Sequence, residues 1–254
     1  MAHFATRAHT YGGPSTWVDD EVSMAPIGDT VAARRPDVIL DLGSGSGAVR
    51  RFLASRGLLP SLYVGLDLSL GMLSTQDGRT ARVAAHAAHL PVRDGAVDLV
   101  IARQTMHYFT QPGDVLAEAA RVLTRRGGLT IAQIIPFDAV EDADWWQTAV
   151  RLRQPLRRHA WTSKQLQTAV RTASFTLDAA TYVERRSSLM DWMGRYPIDD
   201  ATGSRLITHF RKAPPQVREL RQLLVSDSDV EYSIRWLILS ASLRDRGTAD
   251  RDPA

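Results

Sequence analysis

Asp41-Leu-Gly43-Ser-Gly45-Ser-Gly47 is the stretch of this 254-residue chain whose residue types most directly imply chemistry. Alternating glycines follow an aspartate, where a β-branched apolar run gives way to a helical pattern. Glycine is required in such a turn because the backbone bends sharply and a ligand must approach it closely. A second acid, Asp67, ends the next apolar run, where a carboxylate can accept both hydroxyl hydrogens of a ribose. Together these features point to a nucleoside-containing ligand. Gly43-x-Gly45-x-x-Ala48 also satisfies the dinucleotide fingerprint, in which a helix N-terminus cradles pyrophosphate. Two details argue against a nicotinamide or flavin dinucleotide. Gly47 extends the glycine alternation, and a carboxylate at Asp41 would repel pyrophosphate. Asp41 suits instead the ammonium end of an amino-acid-bearing cofactor, or water ordered around it.

The elements that must hold these residues read as alternating short strands and helices, the pattern of βαβ units and a parallel sheet. Strands are predicted at Val38–Leu40, Leu62–Leu66, Ala81–Ala85, Val97–Ala102, Leu129–Ile135, Phe175–Val183 and Ile234–Ser240. Helices are predicted over Ala48–Arg56, from Ser69 as N-cap to Leu73, over Pro112–Leu123 and Asp142–Leu156, and from Thr162 or Ser163 to Ala173. The fold class is α/β: a doubly wound, seven-stranded, Rossmann-like sheet with a small helical lid inserted before the last strand. The predicted division is an N-terminal helical cap segment at 1–36, a core at 37–184, a lid at 185–229, the final strand at 230–244 and a disordered tail at 245–254. A lid of that kind would sit over the carboxyl edge of the sheet, where open α/β sheets bind ligands.

Hydrophobic residues make up 44% and charged residues 23%, an ordinary soluble composition able to bury a sizeable core. With no cysteine, thiolate, disulfide and Cys-ligated zinc chemistry are excluded. Lys164 and Lys212 are the only lysines, so the basic balance, net +3, is carried by arginine. Its densest patch, Arg151, Arg153, Arg157, Arg158 and His159, is too short for a nucleic-acid stripe and reads as a solvated helix face. No window approaches the ~18 consecutive apolar residues of a membrane span. The first residues lack the apolar core of a signal peptide, which makes the cytoplasm the expected compartment. No histidine spacing suits a metal, and no Lys-Ser/Thr follows the glycines as a phosphate loop requires. The expected partner is a small molecule, neither nucleic acid nor membrane, with the chain a monomer or homodimer.

The segment Val38-Ile-Leu-Asp41-Leu-Gly-Ser-Gly-Ser-Gly47 resembles the first motif of class I S-adenosylmethionine-dependent methyltransferases, close to the type 11 branch that includes quinone-biosynthesis enzymes. The likeness continues through Val64-Gly-Leu-Asp67-Leu-Ser-Leu-Gly-Met72-Leu and Leu90-Pro-Val-Arg-Asp-Gly-Ala-Val-Asp98. It runs on through Gln104-Thr-Met-His107-Tyr-Phe109 and Ala119-Ala-Arg-Val-Leu-Thr-Arg-Arg-Gly-Gly128. It implies S-adenosylmethionine as cofactor, with Gly43, Gly45 and Gly47 shaping the methionine pocket beside Asp41. It further implies that Asp67 holds the ribose, Leu68 and Met72 flank the adenine, Ala87 presents its backbone to the base, and Gln104 lines the methionine side. One position departs: members commonly carry Asp where His86 stands. A neutral imidazole can accept from the adenine amino group with one nitrogen; otherwise that contact is lost.

Methyl transfer is an in-line displacement governed by alignment and water exclusion, and it needs a base only if the acceptor must lose a proton. His107 is the candidate catalytic residue; its alternative is a packed histidine that hydrogen-bonds the backbone. His159 and His209 are weaker candidates. Trp192, Tyr196 and Phe210 belong to the expected lid, while Phe4, Tyr11 and Trp17 lie in a segment that can close the other side. Tyr11, Trp146, Trp192 and Tyr196 are the candidate substrate contacts. Trp145 and Trp146 share a predicted helix, with core packing the competing reading, and Trp236 reads as core. The same fold with the same cofactor also serves cyclase, decarboxylase or pericyclic chemistry, which fold alone does not separate.

Overall fold

The computed structural model describes residues 20–77, 80–194 and 198–244. Strands β1 (Val38–Leu42), β2 (Leu62–Asp67), β3 (Ala81–Ala84), β4 (Val97–Arg103) and β5 (Leu123–Ile135) pair in parallel. β6 (Phe175–Ser188) lies at the far edge, and β8 (Val230–Leu243) runs antiparallel between it and β5. The order is β3-β2-β1-β4-β5-β8-β6, with the two-residue β7 (Leu224–Val225) pairing β8 as an eighth strand that the sequence pattern does not announce.

Two faces follow from the side-chain alternation of the strands. Ile39, Leu99, Ile101 and Trp236 point into one core, and Leu40, Val100, Ala102 and Leu237 into the other. Helices α1 (Glu21–Arg34), α2 (Ala48–Ser55) and α5 (Val140–Arg153) cover the first face, while α4 (Pro112–Val122) and α6 (Ser163–Thr172) cover the second. Burying each large aliphatic side chain in these layers contributes roughly 1.5–3 kcal/mol. α1 is the described part of the predicted N-terminal cap segment. It packs on the sheet against β5 and β8 and beside α2.

β1 is flanked by β2 on one side and β4 on the other, so the order in which successive parallel strands are added reverses between β1 and β4. That switch point opens a crevice at the carboxyl ends of the strands, and open α/β sheets bind ligands there. The glycine loop follows β1, the short α3 (Leu70–Ser74) follows β2, and a 3-10 turn (Met106–Tyr108) follows β4. All converge on that edge.

Beyond α6 the chain departs further from its predicted limits. β6 extends to Ser188, so the first residues of the span 185–229 belong to the sheet, as do Leu224 and Val225 of β7, while β8 begins at Val230. Between them lie α7 (Leu189–Gly194), α8 (Asp200–Arg211) and α9 (Pro215–Leu220). α8 and α9 pack on α5. Leu206, Phe210 and Val217 join Trp145, Trp146 and Tyr232 in one core. A fully buried ion pair pins the layer. Arg221 Nε donates to Asp142 Oδ1 at 2.5 Å and Nη2 to Oδ2 at 2.8 Å. The guanidinium also lies 4.4 Å from the Trp146 ring centre and 5.1 Å from that of Trp145.

Candidate functional site

The glycine loop is held against β2 by Ser44 N–H donating to Leu66 O at 3.0 Å. Gly43 has φ +64°, and a Cβ there would lie 2.2 Å from Thr105 Oγ1, so no other residue lets the loop meet the β4 exit so closely. Gly45 also has positive φ, yet a Cβ there would meet nothing within 4 Å. Its constraint is the turn itself, and the space beside it is left for a ligand. Gly47 takes the N-cap position of α2.

Asp67 anchors the next loop. Gly45 N–H donates to its Oδ2 at 2.9 Å and Ser69 N–H to its Oδ1 at 2.8 Å. Each oxygen keeps a further lone pair. Burial raises this carboxyl's pKa, opposed by the backbone donors of Ser69, Gly45 and Leu68. Asp41 lies beneath, buried, with the Tyr63 hydroxyl donating to it at 2.6 Å. Its pKa is pushed up to about 7 by burial, against the opposing effects of that hydrogen bond and the Arg103 charge.

These elements enclose a cavity of about 340 Å³. Gly43, Gly45, Asp67, Leu68, Met72, His86, Ala87 and Gln104 line it, so the structure brings together most of the residues singled out for cofactor binding. Asp41 and Gly47 stand behind the wall. Met72 and Ala87 are buried, whereas Leu68 is exposed at the edge.

Gln104 is the strained member. It is not a glycine, yet it has φ +53°. Its Oε1 accepts from Arg157 Nη2 at 3.1 Å and from Gln133 Nε2 at 3.3 Å, which fixes the amide's orientation. The other end, Nε2, is buried with no hydrogen-bond partner among the described residues. Leaving such a donor unpaired costs about 1–3 kcal/mol, a penalty that a bound acceptor would remove.

His107 follows Gln104 but does not reach the cavity wall. It is buried, and its Nδ1 lies 3.0 Å from Gln133 Nε2 and 3.4 Å from Arg157 Nη2. Burial and the Arg157 charge hold its pKa well below the usual imidazole range. Its carbonyl accepts from the N–H groups of Arg158 and His159, and Gln154 Nε2 donates to the Tyr108 hydroxyl at 2.7 Å. The segment from Gln154 to His159 is thereby tied over the β4 exit, and it brings Leu156 and Arg158 into the cavity lining.

This arrangement corrects the reading of the arginine patch as a solvated helix face: Arg153 and Arg157 are buried and Arg158 lines the cavity. The helix stops at Arg153 because Pro155 disfavours helical dihedrals at Gln154, which adopts φ −146° and ψ 82°. The proline was the available signal. Arg103, Tyr108 and Phe109 also line the wall. Arg103 could have been found as a charge closing an otherwise apolar strand.

Residues 40–131 match the family model of the methyltransferase domain. A malonyl-[acyl-carrier protein] O-methyltransferase of Marinomonas sp. is 37% identical over 116 residues, which cover 43% of this chain and 43% of that protein. The chain thus matches less than half the length of that relative. Among solved structures, the Bacillus halodurans protein BH2331 superposes with a TM-score of 0.80 at 19% identity, covering 87% of this chain and 99% of that one. The Burkholderia thailandensis 1,6-didemethyltoxoflavin-N1-methyltransferase, solved with S-adenosylhomocysteine, gives 0.58 at 17% identity, covering 96% and 87%. Residues 40–131 are thus similar to methyltransferase domains, and the whole sheet shares its fold with solved methyltransferases.

His86 stands where the family resemblance implies an aspartate. Ala88 N–H donates to His86 Nδ1 at 3.1 Å, so the neutral ring carries its proton on Nε2. The acceptor nitrogen is already engaged. What the ring can offer an adenine is therefore a donor, suited to a ring nitrogen and not to the amino group.

The candidate substrate residues lie elsewhere. Trp146 is buried in the core, its ring centre 5.6 Å from that of half-buried Trp192, and neither lines the cavity. Arg153 covers Trp192 with its guanidinium 4.6 Å from the ring centre. Tyr11 and Tyr196 fall outside the described residues, as do Phe4, Trp17 and the predicted tail. None of α7, α8 or α9 contributes to the cavity lining. His209 packs on Trp145 with ring centres 4.9 Å apart. No group of potential metal ligands occurs among the described residues. Nor is any described helix long and apolar enough to cross a membrane.

Proposed function

We propose that this chain binds S-adenosylmethionine in the switch-point cavity and transfers its methyl group to a small-molecule acceptor. The observation that carries the reading is the hydrogen-bonding capacity left on two cavity-lining residues: the further lone pairs of Asp67 at one end and the buried, unpaired Nε2 of Gln104 at the other. A ribose diol donates to the first, and the methionine carboxylate accepts from the second. Leu68, Met72 and Ala87 flank the adenine between His86 and the glycine loop. Bound there, the cofactor supplies an electrophilic methyl group on a sulfonium.

The chain's own contribution is positioning. Arg157 and Gln133 orient the Gln104 amide, and the segment over the β4 exit keeps water from the reacting end. His107 acts here as a positioning residue, neutral and buried, whose carbonyl holds that segment in place.

Calorimetric titration with S-adenosylmethionine tests the reading. The expected result is micromolar binding that Asp67→Ala abolishes, followed by acceptor-dependent release of S-adenosylhomocysteine. No binding to the parent chain would overturn it. Binding without any methyl transfer, but with another conversion of the acceptor, would favour the non-methylating chemistry of the same fold.

A further inference from the structure

We propose that the acceptor is a carboxylate, bound by Arg158 at the cavity rim and methylated on oxygen without a general base. This rests on the methyl-transfer reading above and names its substrate class.

The distribution of charge is the first argument. Arg103 and Arg158 line the cavity, and Asp67 is the one acid among the described lining residues. Asp67 lies at the glycine-loop end, where its oxygens accept from Gly45 and Ser69 and the ribose takes the remaining lone pairs. Arg103 is buried, its guanidinium 4.9 Å from the Trp236 ring centre and close enough to Asp41 to oppose the rise in that carboxyl's pKa. Arg158 is exposed, but its backbone is fixed by the hydrogen bond to His107 O at 2.8 Å. A cofactor with a sulfonium, an ammonium and a single carboxylate adds net positive charge to this end. An anionic acceptor restores the balance.

The second argument is that, among the described lining residues, no imidazole stands where a base would be needed. His86 is the lining imidazole, and it sits beside Ala87 at the adenine end. His107 is behind the wall with Nδ1 engaged by Gln133. A phenol, an amine or an acidic carbon would need a proton removed; a carboxylate is already ionised at neutral pH. Its oxygen forms the new O–CH3 bond as the S–CH3 bond breaks, and that electron pair passes to sulfur. Cation and anion become a neutral thioether and a neutral ester, and no proton moves.

The mechanism dictates where Arg158 acts. Charge is lost on the way to the transition state, so an arginine stabilises the bound carboxylate more than the transition state. Removing it should therefore raise KM without lowering kcat.

The test titrates the protein saturated with S-adenosylhomocysteine against benzoic, phenylacetic and hexanoic acids and their primary amides, read by ligand-observed NMR. The series is repeated with Arg158→Gln and Arg158→Lys. Turnover is then followed with methyl-labelled cofactor, scoring methanol released from the product by base. We expect at least one acid to bind about tenfold more tightly than its amide, the scale of a charge-assisted contact. Arg158→Gln should erase that preference and raise the acceptor KM about tenfold, Arg158→Lys should keep part of it, and S-adenosylhomocysteine affinity should not change. The labelled product should be base-labile. Acids that bind no better than amides, acids that do not bind, a preference indifferent to Arg158, or a base-stable product would each overturn the proposal. Failure to bind S-adenosylhomocysteine would instead overturn the methyl-transfer reading itself.

Discussion

The cofactor side of the molecule and its helical layer are built on different principles. Around β1, β2 and β4 the critical contacts have backbone N–H donors in the loops that leave adjoining strands: Gly45 N–H and Ser69 N–H to Asp67, Ser44 N–H to Leu66 O. Across α5, α8 and α9 they are made by side chains far apart in sequence, with Arg221 reaching Asp142 and Trp145 packing on Phe210 at 4.7 Å. A site that must fit one ligand is specified by loop geometry. A layer that must only cover a sheet is specified by volume and by one buried charge pair.

The largest effect should come from breaking that pair. Arg221→Ala leaves the Asp142 carboxylate fully buried without its partner, which typically costs about 3–5 kcal/mol. Urea unfolding would read it. For contrast, Asp94→Ala, which removes the exposed end of the Arg121–Asp94 pair, should cost about 0–1 kcal/mol. Equal losses at both sites would mean that the helical layer is not locked by its ion pair.

On the cofactor side the same size of change should appear in binding and not in folding. Asp67→Ala removes an acceptor of two ligand hydroxyls, and should weaken S-adenosylhomocysteine roughly a hundredfold. The thermal midpoint should move only a few degrees, because the carboxylate's contacts are part-exposed loop bonds. A collapse of the midpoint would show that Asp67 is structural first.

The two regions should also respond to pH with opposite signs. Folding raises the Asp41 pKa from 3.8 to about 7, so the folded state holds that proton more tightly. Its stabilising contribution is complete below the unfolded value and is lost as pH rises through the folded one. His209 in the helical layer is the reverse. Burial lowers its pKa from 6.5, so its contribution is complete above that value and is lost as pH falls through the folded one. Relative to Asp41→Asn, the parent should lose stability between about pH 4 and pH 8 on going up; relative to His209→Gln, it should lose stability below about pH 6.5 on going down. Parallel pH profiles in either comparison would remove the assigned group.

The cofactor side was also the more legible from sequence. The alternating glycines, the acid at the end of β2, and Ser69 as cap of α3 (donated to by Met72 N–H at 3.3 Å) are local patterns with local causes. Even the fold class follows from strand-helix alternation of that kind. What escaped was non-local. Nothing in the spacing of Arg157 announces that it bonds Gln104, because the bend at Pro155 brings the two together. Trp146 and Trp192 read as substrate contacts by their aromatic character, yet they stack on each other, Trp146 under Arg221 and Trp192 under Arg153. Of the arginine patch, Arg157 and Arg158 fold back to the crevice, the one bonding Gln104 and the other lining the cavity.

The smallest predicted effect bears on His86, where the resemblance implies an aspartate. With His86 Nδ1 accepting from Ala88 N–H, the ring has no acceptor for the adenine amino group, whereas an aspartate would have two oxygens. The site is exposed, so a regained hydrogen bond is worth about 1 kcal/mol at most. His86→Asp should therefore tighten S-adenosylmethionine by roughly threefold to fivefold in calorimetry, and should not tighten an analogue dimethylated at the amino nitrogen. Equal gains for both ligands would mean that the aspartate acts by charge on the cationic cofactor. No gain would mean that His86 already holds the base through its Nε2 proton, and that the departure is a substitution of one adenine contact for another.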